Sequence, residues 1–82
     1  MIIRNTQELG HFLKNQRKRD KLSQSDIAQQ VGVKQSTVSA FENDPSLSKL
    51  DTLFRLLSAN GLELSLHKKG DDASKDVWAE EW

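Results

Sequence analysis

The segment from Ser23 to Asn43 constrains the fold of this 82-residue sequence most strongly, because it predicts two short helices joined by a tight turn. Ser23 is typical of a helix N-cap, and Asp26 three residues later suits the role of a short capping-box partner. Gly32 is expected to end the first helix, since glycine tolerates the positive φ angle that a turn requires. The second helix is predicted over about residues 35–42. The inward face of the pair is predicted to contain Ile27, Ala28, Val31, Val38 and Phe41.

The outward face of the second helix carries short side chains that form hydrogen bonds, which suits contact with the base edges of DNA. Ala28 and Gly32 lie where two crossing helices need a small residue and a turn residue. This spacing predicts a DNA-reading helix-turn-helix motif. The alternative is a generic helical hairpin with an amide-rich surface. The outward side chains of the second helix are Gln35, Ser36, Thr37 and Ser39.

The formal net charge of zero conceals a basic body and an acidic tail. Residues 1–69 contain 11 Lys and Arg against 7 Asp and Glu, a net of +4, whereas residues 70–82 contain one Lys against five acids, a net of −4. A basic body suits the neutralisation of phosphates. We therefore expect a helix-turn-helix domain for DNA binding and dimerisation over 1–69, followed by a flexible acidic tail over 70–82.

The composition argues against several classes of function. The sequence has no cysteine, and its histidines, His11 and His67, are expected at a surface or interface rather than at a metal site. No set of acid, base and nucleophile occurs outside the DNA-reading face, so we expect neither an enzyme nor a cofactor. No apolar run approaches the roughly 20 residues that cross a bilayer. The protein is expected to be soluble and cytoplasmic, and associated with the nucleoid when bound to DNA.

A helix is predicted before the motif, beginning at Asn5 or Thr6 and running to about residue 19. Glu8 is placed to complete a capping box from Asn5. The inward stripe of this helix is Leu9, Phe12 and Leu13. Its basic end has two interpretations, a solvated turn or a set of contacts with DNA phosphates. The residues concerned are Lys18, Arg19 and Lys21.

A fourth helix is predicted after the motif, with Ser48 as its N-cap and Asp51 in its first turn. The dipeptide at residues 60–61, Asn-Gly, is expected to end it in a left-handed conformation. Apolar residues at i, i+3, i+4 and i+7 predict a stripe that packs on the rest of the core. This stripe consists of Leu50, Leu53, Phe54 and Leu57.

The hydrophobic period changes to two between Leu62 and His67, which predicts one β-strand. A single strand cannot satisfy its own backbone hydrogen bonds. We therefore expect it to pair with the same strand of a second subunit across a twofold axis, giving a homodimer. The alternative partner is the segment 1–4 of the same chain, and the two pairings could coexist. The expected dimer-interface residues are Leu62, Leu64 and Leu66.

Both tryptophans, Trp78 and Trp82, lie in the polar acidic tail. Large aromatic side chains are favoured as anchors at protein interfaces. We expect these two residues to bind a protein partner. In the alternative, they fold back onto the surface of the dimer itself.

Taken along its length, the sequence resembles the HipB-type antitoxins of the Xre and phage-repressor (Cro/C1-type) helix-turn-helix family. Three segments in order carry the resemblance: Gly-Val-Lys-Gln-Ser-Thr-Val-Ser-Ala-Phe-Glu-Asn at 32–43, Leu-Glu-Leu-Ser-Leu at 62–66, and the acidic tail ending in Glu-Trp at 81–82. The resemblance implies a mainly α fold of four to five helices with one C-terminal strand that pairs across a homodimer. It also implies a repressor that binds a palindromic operator, regulates its own operon and binds a HipA-like serine/threonine kinase toxin. The alternative is a stand-alone Xre-family regulator with no toxin partner.

The resemblance also assigns roles to individual residues. Gln24 matches a family amide that binds a phosphate. The same amide braces a second, base-reading amide, and Gln35 matches that second one. An amide at this point suits adenine, and Lys34 suits guanine. The full set of expected DNA-binding residues is Gln24, Ser25, Lys34, Gln35, Ser36, Thr37, Ser39 and Asn43. Arg17 and Glu42 match a partly buried salt bridge. Two residues depart from the family pattern, Ala40 where many relatives have a long polar reader and Gln16 where most have an apolar residue.

Overall fold

The computed structural model describes residues 2–69, which form four α-helices and one short 3₁₀ helix. The α-helices are α1, Thr6–Arg19; α2, Gln24–Val31; α3, Gln35–Asn43; and α4, Leu50–Ala59. The 3₁₀ helix, Pro45–Leu47, lies between α3 and α4. The mainly helical class predicted from the sequence is confirmed for this part of the chain.

Local hydrogen bonds explain where α1 and α2 begin. Asn5 Oδ1 accepts a bond from the N–H of Glu8 at 2.8 Å, as predicted. Glu8 Oε1, however, accepts from the N–H of Arg4 at 2.8 Å and not from that of Asn5. The capping box of α2 is complete, because Ser23 Oγ accepts from the N–H of Asp26 at 3.0 Å and Asp26 Oδ2 accepts from the N–H of Ser23 at 2.8 Å. These bonds join residues three or four apart, so local sequence is enough to specify them.

The turn between α2 and α3 depends on Gly32, which has a φ angle of 74°. Its N–H donates to the carbonyl oxygen of Ala28 at 2.9 Å, and the N–H of Val33 donates to the same oxygen at 3.1 Å. A side chain at this left-handed position would be strained. The predicted role of Gly32 as the end of α2 is confirmed.

The core lies among all four α-helices, and its apolar side chains are at most 6% exposed. Of the predicted stripe on α1, Leu13 is fully buried, Leu9 packs against the core at its edge, and Phe12 is half-buried beside a surface groove that also contains Ile2. Phe12 therefore lies at the margin of the core. The buried apolar residues are Leu13, Ile27, Ala28, Val38, Phe41, Leu56 and Leu57.

The prediction for α4 was half correct: Leu57 is buried and Leu53 packs against the core, but the other two residues of the predicted stripe are exposed. Leu50 is 72% exposed and Phe54 is 53% exposed, whereas Leu56 and Leu57 are buried. The leucine-rich sequence of α4 contains two overlapping apolar stripes, and packing against α2 buries the one that includes Leu56. The N-cap was also wrong, since Lys49 occupies that position while Ser48 ends the 3₁₀ helix.

The chain leaves α4 through Asn60 and Gly61, and Gly61 has the expected positive φ angle of 69°. Residues 62–68 have no regular secondary structure, and residues 2–69 contain no β-strand, so the predicted strand and its alternative pairing with the N-terminal segment are not seen there. A strand requires a hydrogen-bonding partner, and none of the residues from 2 to 69 pairs with this segment as a strand. The predicted tail at 70–82, with Trp78 and Trp82, lies outside the described residues.

Candidate nucleic-acid interface

A buried ion pair joins α1 to the end of α3. Arg17 Nε donates to Glu42 Oε2 at 2.7 Å and Arg17 Nη2 donates to Glu42 Oε1 at 3.0 Å. The two side chains are only 9% and 5% exposed. The hydrogen bond with Glu42 raises the pKa of Arg17 above its usual value. The salt bridge implied by the family resemblance is therefore confirmed.

Arg17 also stabilises the loop that leads into the motif. Its third donor group, Nη1, donates to the carbonyl oxygen of Leu22 at 2.8 Å, immediately before the N-cap of α2. One guanidinium thus connects α1, the loop before α2 and the C-terminal turn of α3. Removal of one partner would leave the other buried charge unpaired, so we expect the loss of either side chain to destabilise the fold strongly.

The ion pair extends outward through Gln24 to the predicted reader. Gln24 Nε2 donates to Glu42 Oε1 at 3.0 Å, and Gln24 Oε1 accepts from Gln35 Nε2 at 3.4 Å. Gln24 is half-buried, whereas Gln35 is exposed at the start of α3. The brace between these two amides agrees with the role that the resemblance assigns to Gln24.

A second side chain holds the other end of the Gln35 amide. Ser25 Oγ donates to Gln35 Oε1 at 3.2 Å. The sequence placed Ser25 among the DNA-binding residues but did not predict this contact. The bond from Gln24 to Glu42 was missed as well. The only sequence signal for the first of these contacts is that Ser25 lies in the first turn of α2 and Gln35 in the first turn of α3.

The remaining predicted DNA-binding side chains differ in exposure. Lys34 is the exposed N-cap residue of α3, and Ser36 and Asn43 are exposed on the same helix. Thr37 and Ser39 are half-buried. The N-terminal end of α3 carries the positive end of the helix dipole, which favours nearby phosphate.

The basic residues near the end of α1 are free to meet a ligand from solvent. Lys18, Arg19 and Lys21 are all exposed. Lys21 has a φ angle of 59°, a left-handed conformation that is uncommon for a residue other than glycine. It follows the end of α1, where its N–H donates to the carbonyl oxygen of Lys18 at 3.0 Å.

The described residues contain neither a metal-binding cluster nor a membrane-spanning helix. Within 2–69 no group of three His, Asp or Glu side chains is placed to hold a metal ion, and His11 and His67 are both exposed. None of the helices in this part of the chain is long and apolar enough to cross a membrane.

Comparison with known proteins gives matches to antitoxins. The chain is 39% identical to the antitoxin HipB of Escherichia coli K12 over 59 residues, which cover 72% of this chain and 65% of that protein. It is 48% identical to the antitoxin HigA1 of Mycobacterium tuberculosis CDC 1551 over 50 residues, covering 61% of this chain and 34% of that protein. The chain thus spans less than two thirds of the length of the HipB sequences it matches.

Solved structures similar to this fold include complexes of HipB. A chain of the HipA–HipB–O2–O3 complex matches with a TM-score of 0.81 and 32% identity over 84% of this chain and 97% of that one. A chain of the HipB–O1–O2 complex matches with a TM-score of 0.80 and 32% identity over 83% and 99%. The family model HTH_3, described as helix-turn-helix, matches residues 13–66. The chain therefore belongs to the HTH_3 helix-turn-helix family.

Proposed function

We propose that this protein is a sequence-specific DNA-binding repressor that acts as a HipB-like antitoxin. It binds a palindromic operator, regulates its own operon and binds a HipA-like serine/threonine kinase toxin. The observation that carries the DNA-binding part is the exposed amide of Gln35, held by Gln24 at the start of α3. The net charge of +4 over residues 1–69 supports contact with phosphates.

The proposed DNA contacts divide into two classes. Gln35 and Lys34 read bases, with the exposed or half-buried polar side chains of α3 beside them, namely Ser36, Thr37, Ser39 and Asn43. Gln24 contacts a phosphate, and Ser25 lies next to it in the first turn of α2. Lys18, Arg19 and Lys21 are further candidates for phosphate contacts because all three are exposed.

The proposed homodimer uses exposed apolar side chains of α4 and of the segment that follows it. Leu50, Phe54, Leu64 and Leu66 are 72%, 53%, 48% and 72% exposed. Phe54 and Leu64 line the same groove. A second copy would cover these side chains and provide the missing partner for a strand over residues 62–67. Such a dimer would place its two recognition helices in successive major grooves about 34 Å apart.

The proposed toxin contact lies in the tail, with Trp82 and Trp78 as anchors. The solved structure of a HipA–HipB–O2–O3 complex supports a partner of this kind, because one of its chains shares the fold described here. The acids of the tail would steer it toward a basic surface on the kinase. As a DNA-binding antitoxin rather than an enzyme, the protein would work in the cytoplasm at the nucleoid.

Two binding experiments test this function. Titration of the full chain against the DNA upstream of its own gene and against random DNA should give tighter binding to the upstream DNA, with an affinity that falls steeply with salt. A pull-down compares the full chain with a fragment of residues 1–69, which contains the whole core described above. We expect a kinase to be retained by the full chain and much less by the fragment, while operator binding by the fragment remains.

The outcomes separate the proposal from its alternative. Full kinase binding by the 1–69 fragment would assign the contact to the body and contradict the role of Trp78 and Trp82. If neither form retains a kinase but both bind the operator, the stand-alone regulator is correct. Equal affinity for upstream and random DNA would contradict both.

A further inference from the structure

The buried ion pair fixes which groups donate and which accept in the hydrogen bonds that lead to Gln35. Glu42 accepts two bonds from the guanidinium of Arg17, a group that only donates. The carboxylate of Glu42 can then only accept from Gln24, so Gln24 must turn its NH₂ group inward, at 3.0 Å. The orientation of the Gln24 amide is thus set by the charges of the ion pair.

The fixed orientation of the Gln24 amide in turn fixes that of the Gln35 amide. With its NH₂ group turned to Glu42, Gln24 presents its carbonyl oxygen to Gln35, which must offer its own NH₂ group in return. The carbonyl oxygen of Gln35 then lies on the other side, where Ser25 Oγ donates to it at 3.2 Å. The contact to Gln24 is long at 3.4 Å, so the bond from Ser25 is the shorter of the two that hold this amide.

We propose that Ser25 is a positioning residue that, together with Gln24, locks the Gln35 amide in the orientation that favours adenine over guanine. The proposal rests on the function proposed above. In the held orientation Gln35 keeps one free N–H and one free lone pair. These match the N7 acceptor and the N6 donor of adenine. Guanine has an acceptor, O6, in place of N6, and would place it against the carbonyl oxygen of Gln35.

Without Ser25, the amide of Gln35 would rotate more freely about its last side-chain bond. The rotated amide would turn its NH₂ group to guanine O6 and form one hydrogen bond there, so guanine would be tolerated. Loss of Ser25 should therefore act on the choice between bases. A direct contact of Ser25 with a phosphate would weaken binding to every sequence alike.

The test uses the full chain and operator duplexes that carry each of the four base pairs at the position read by Gln35. That position is the one at which Gln35→Ala removes the preference. Dissociation constants are measured for the parent protein, Ser25→Ala, Gln35→Ala and the double variant. We expect Ser25→Ala to reduce the adenine-over-guanine preference by about fivefold, the ratio carried by one hydrogen bond of ordinary net strength. In the Gln35→Ala background, Ser25→Ala should have no further effect.

Two further variants complete the design. Ser25→Thr keeps the hydroxyl group and should restore the preference. Thr6→Ala removes an exposed hydroxyl group from the far end of α1, roughly 16 Å along the helix from Arg17, and should leave all four affinities unchanged. Ser25 is exposed near the start of α2 and alanine favours helix, so Ser25→Ala should retain the fold, which circular dichroism checks.

Three results would overturn the proposal. If Ser25→Ala leaves the adenine-over-guanine ratio unchanged, Ser25 does not orient the amide. If Ser25→Ala lowers the affinity equally for all four duplexes, and this decrease in binding free energy adds to that of Gln35→Ala, Ser25 contacts DNA directly. If the parent protein shows no preference for operator over random DNA, the proposed function itself fails, and this inference fails with it.

Discussion

Gln35 is held by two side chains of the neighbouring helix α2. Such preorganisation lowers the conformational entropy that binding would otherwise cost. We expect Gln35→Ala and Lys34→Ala each to weaken operator binding by about 1–3 kcal/mol and to spare binding to random DNA. Gln24→Ala should weaken both, because it loses a phosphate contact. Fluorescence anisotropy with the two kinds of DNA measures the difference, and an unchanged ratio for Gln35→Ala would show that this residue reads no base.

Gly10 allows α1 to approach the end of α3. A Cβ atom at this position would lie 2.7 Å from the carbonyl oxygen of Glu42 and 3.0 Å from that of Phe41. Alanine is favoured over glycine by about 1 kcal/mol at an open helix position. The clash with these backbone oxygens should outweigh the helix preference of alanine. We therefore expect Gly10→Ala to lower the free energy of unfolding by about 1–3 kcal/mol.

Urea denaturation measures the effect of Gly10→Ala, with Gly61→Ala as its control. A Cβ atom at Gly61 would meet no atom within 4 Å, so that variant reports the cost of a positive φ angle without a clash. A stabilised Gly10→Ala variant would mean that α1 moves away from α3 at little cost.

At the scale of the element, the capping box makes the start of α2 sensitive to acid. Hydrogen bonds from the backbone and side chain of Ser23 hold the pKa of Asp26 below its usual value of 3.8. The folded state therefore binds this proton less readily than the unfolded state, and the stabilisation is present above pH 3.8 and lost as the pH falls through the lower pKa of the folded state. We expect Asp26→Asn to be less stable than the parent protein at neutral pH and to approach it in acid.

Thermal unfolding of both proteins from neutral pH to acid measures this convergence. Asp44→Asn provides a matched comparison, because the pKa of Asp44 is likewise lowered by its hydrogen bonds with Ser46. If the melting temperatures of the parent protein and Asp26→Asn differ by the same amount at every pH, the carboxylate charge does not contribute to the cap.

At the scale of the whole molecule, exposed leucines on α4 and on the segment after it indicate an apolar surface that a second molecule could cover. Leu64 is 48% exposed beside Phe54 of α4. If a second copy covers this surface, Leu64→Asp should give monomers and weaken operator binding, because a monomer contacts only one half-site. Sedimentation measures the mass. Ser65→Asp adds the same charge at the alternate position and should weaken the dimer less, while an unchanged dimer in Leu64→Asp would contradict the proposed pairing.

The features predicted correctly from the sequence depend on neighbours close along the chain. Asn5, Ser23 and Gly32 act within their own turn or cap, through bonds to residues three or four positions away. The inward face of the motif follows from helical period, and Val38 and Phe41 are buried as expected. Local hydrogen bonds and side-chain spacing are properties of a short segment, so they can be recognised before the segment is placed in a fold.

The features that were missed or wrong depend on how distant segments meet. The sequence of α4 is compatible with two overlapping apolar stripes, and packing against α2 buries Leu56 while it leaves Leu50 exposed. The bond from Gln24 to Glu42 joins residues 18 apart, and that from Ser25 to Gln35 joins residues 10 apart. Helical period indicates which side chains share a face, but the element packed against that face settles which face is buried and which polar groups come within hydrogen-bonding distance.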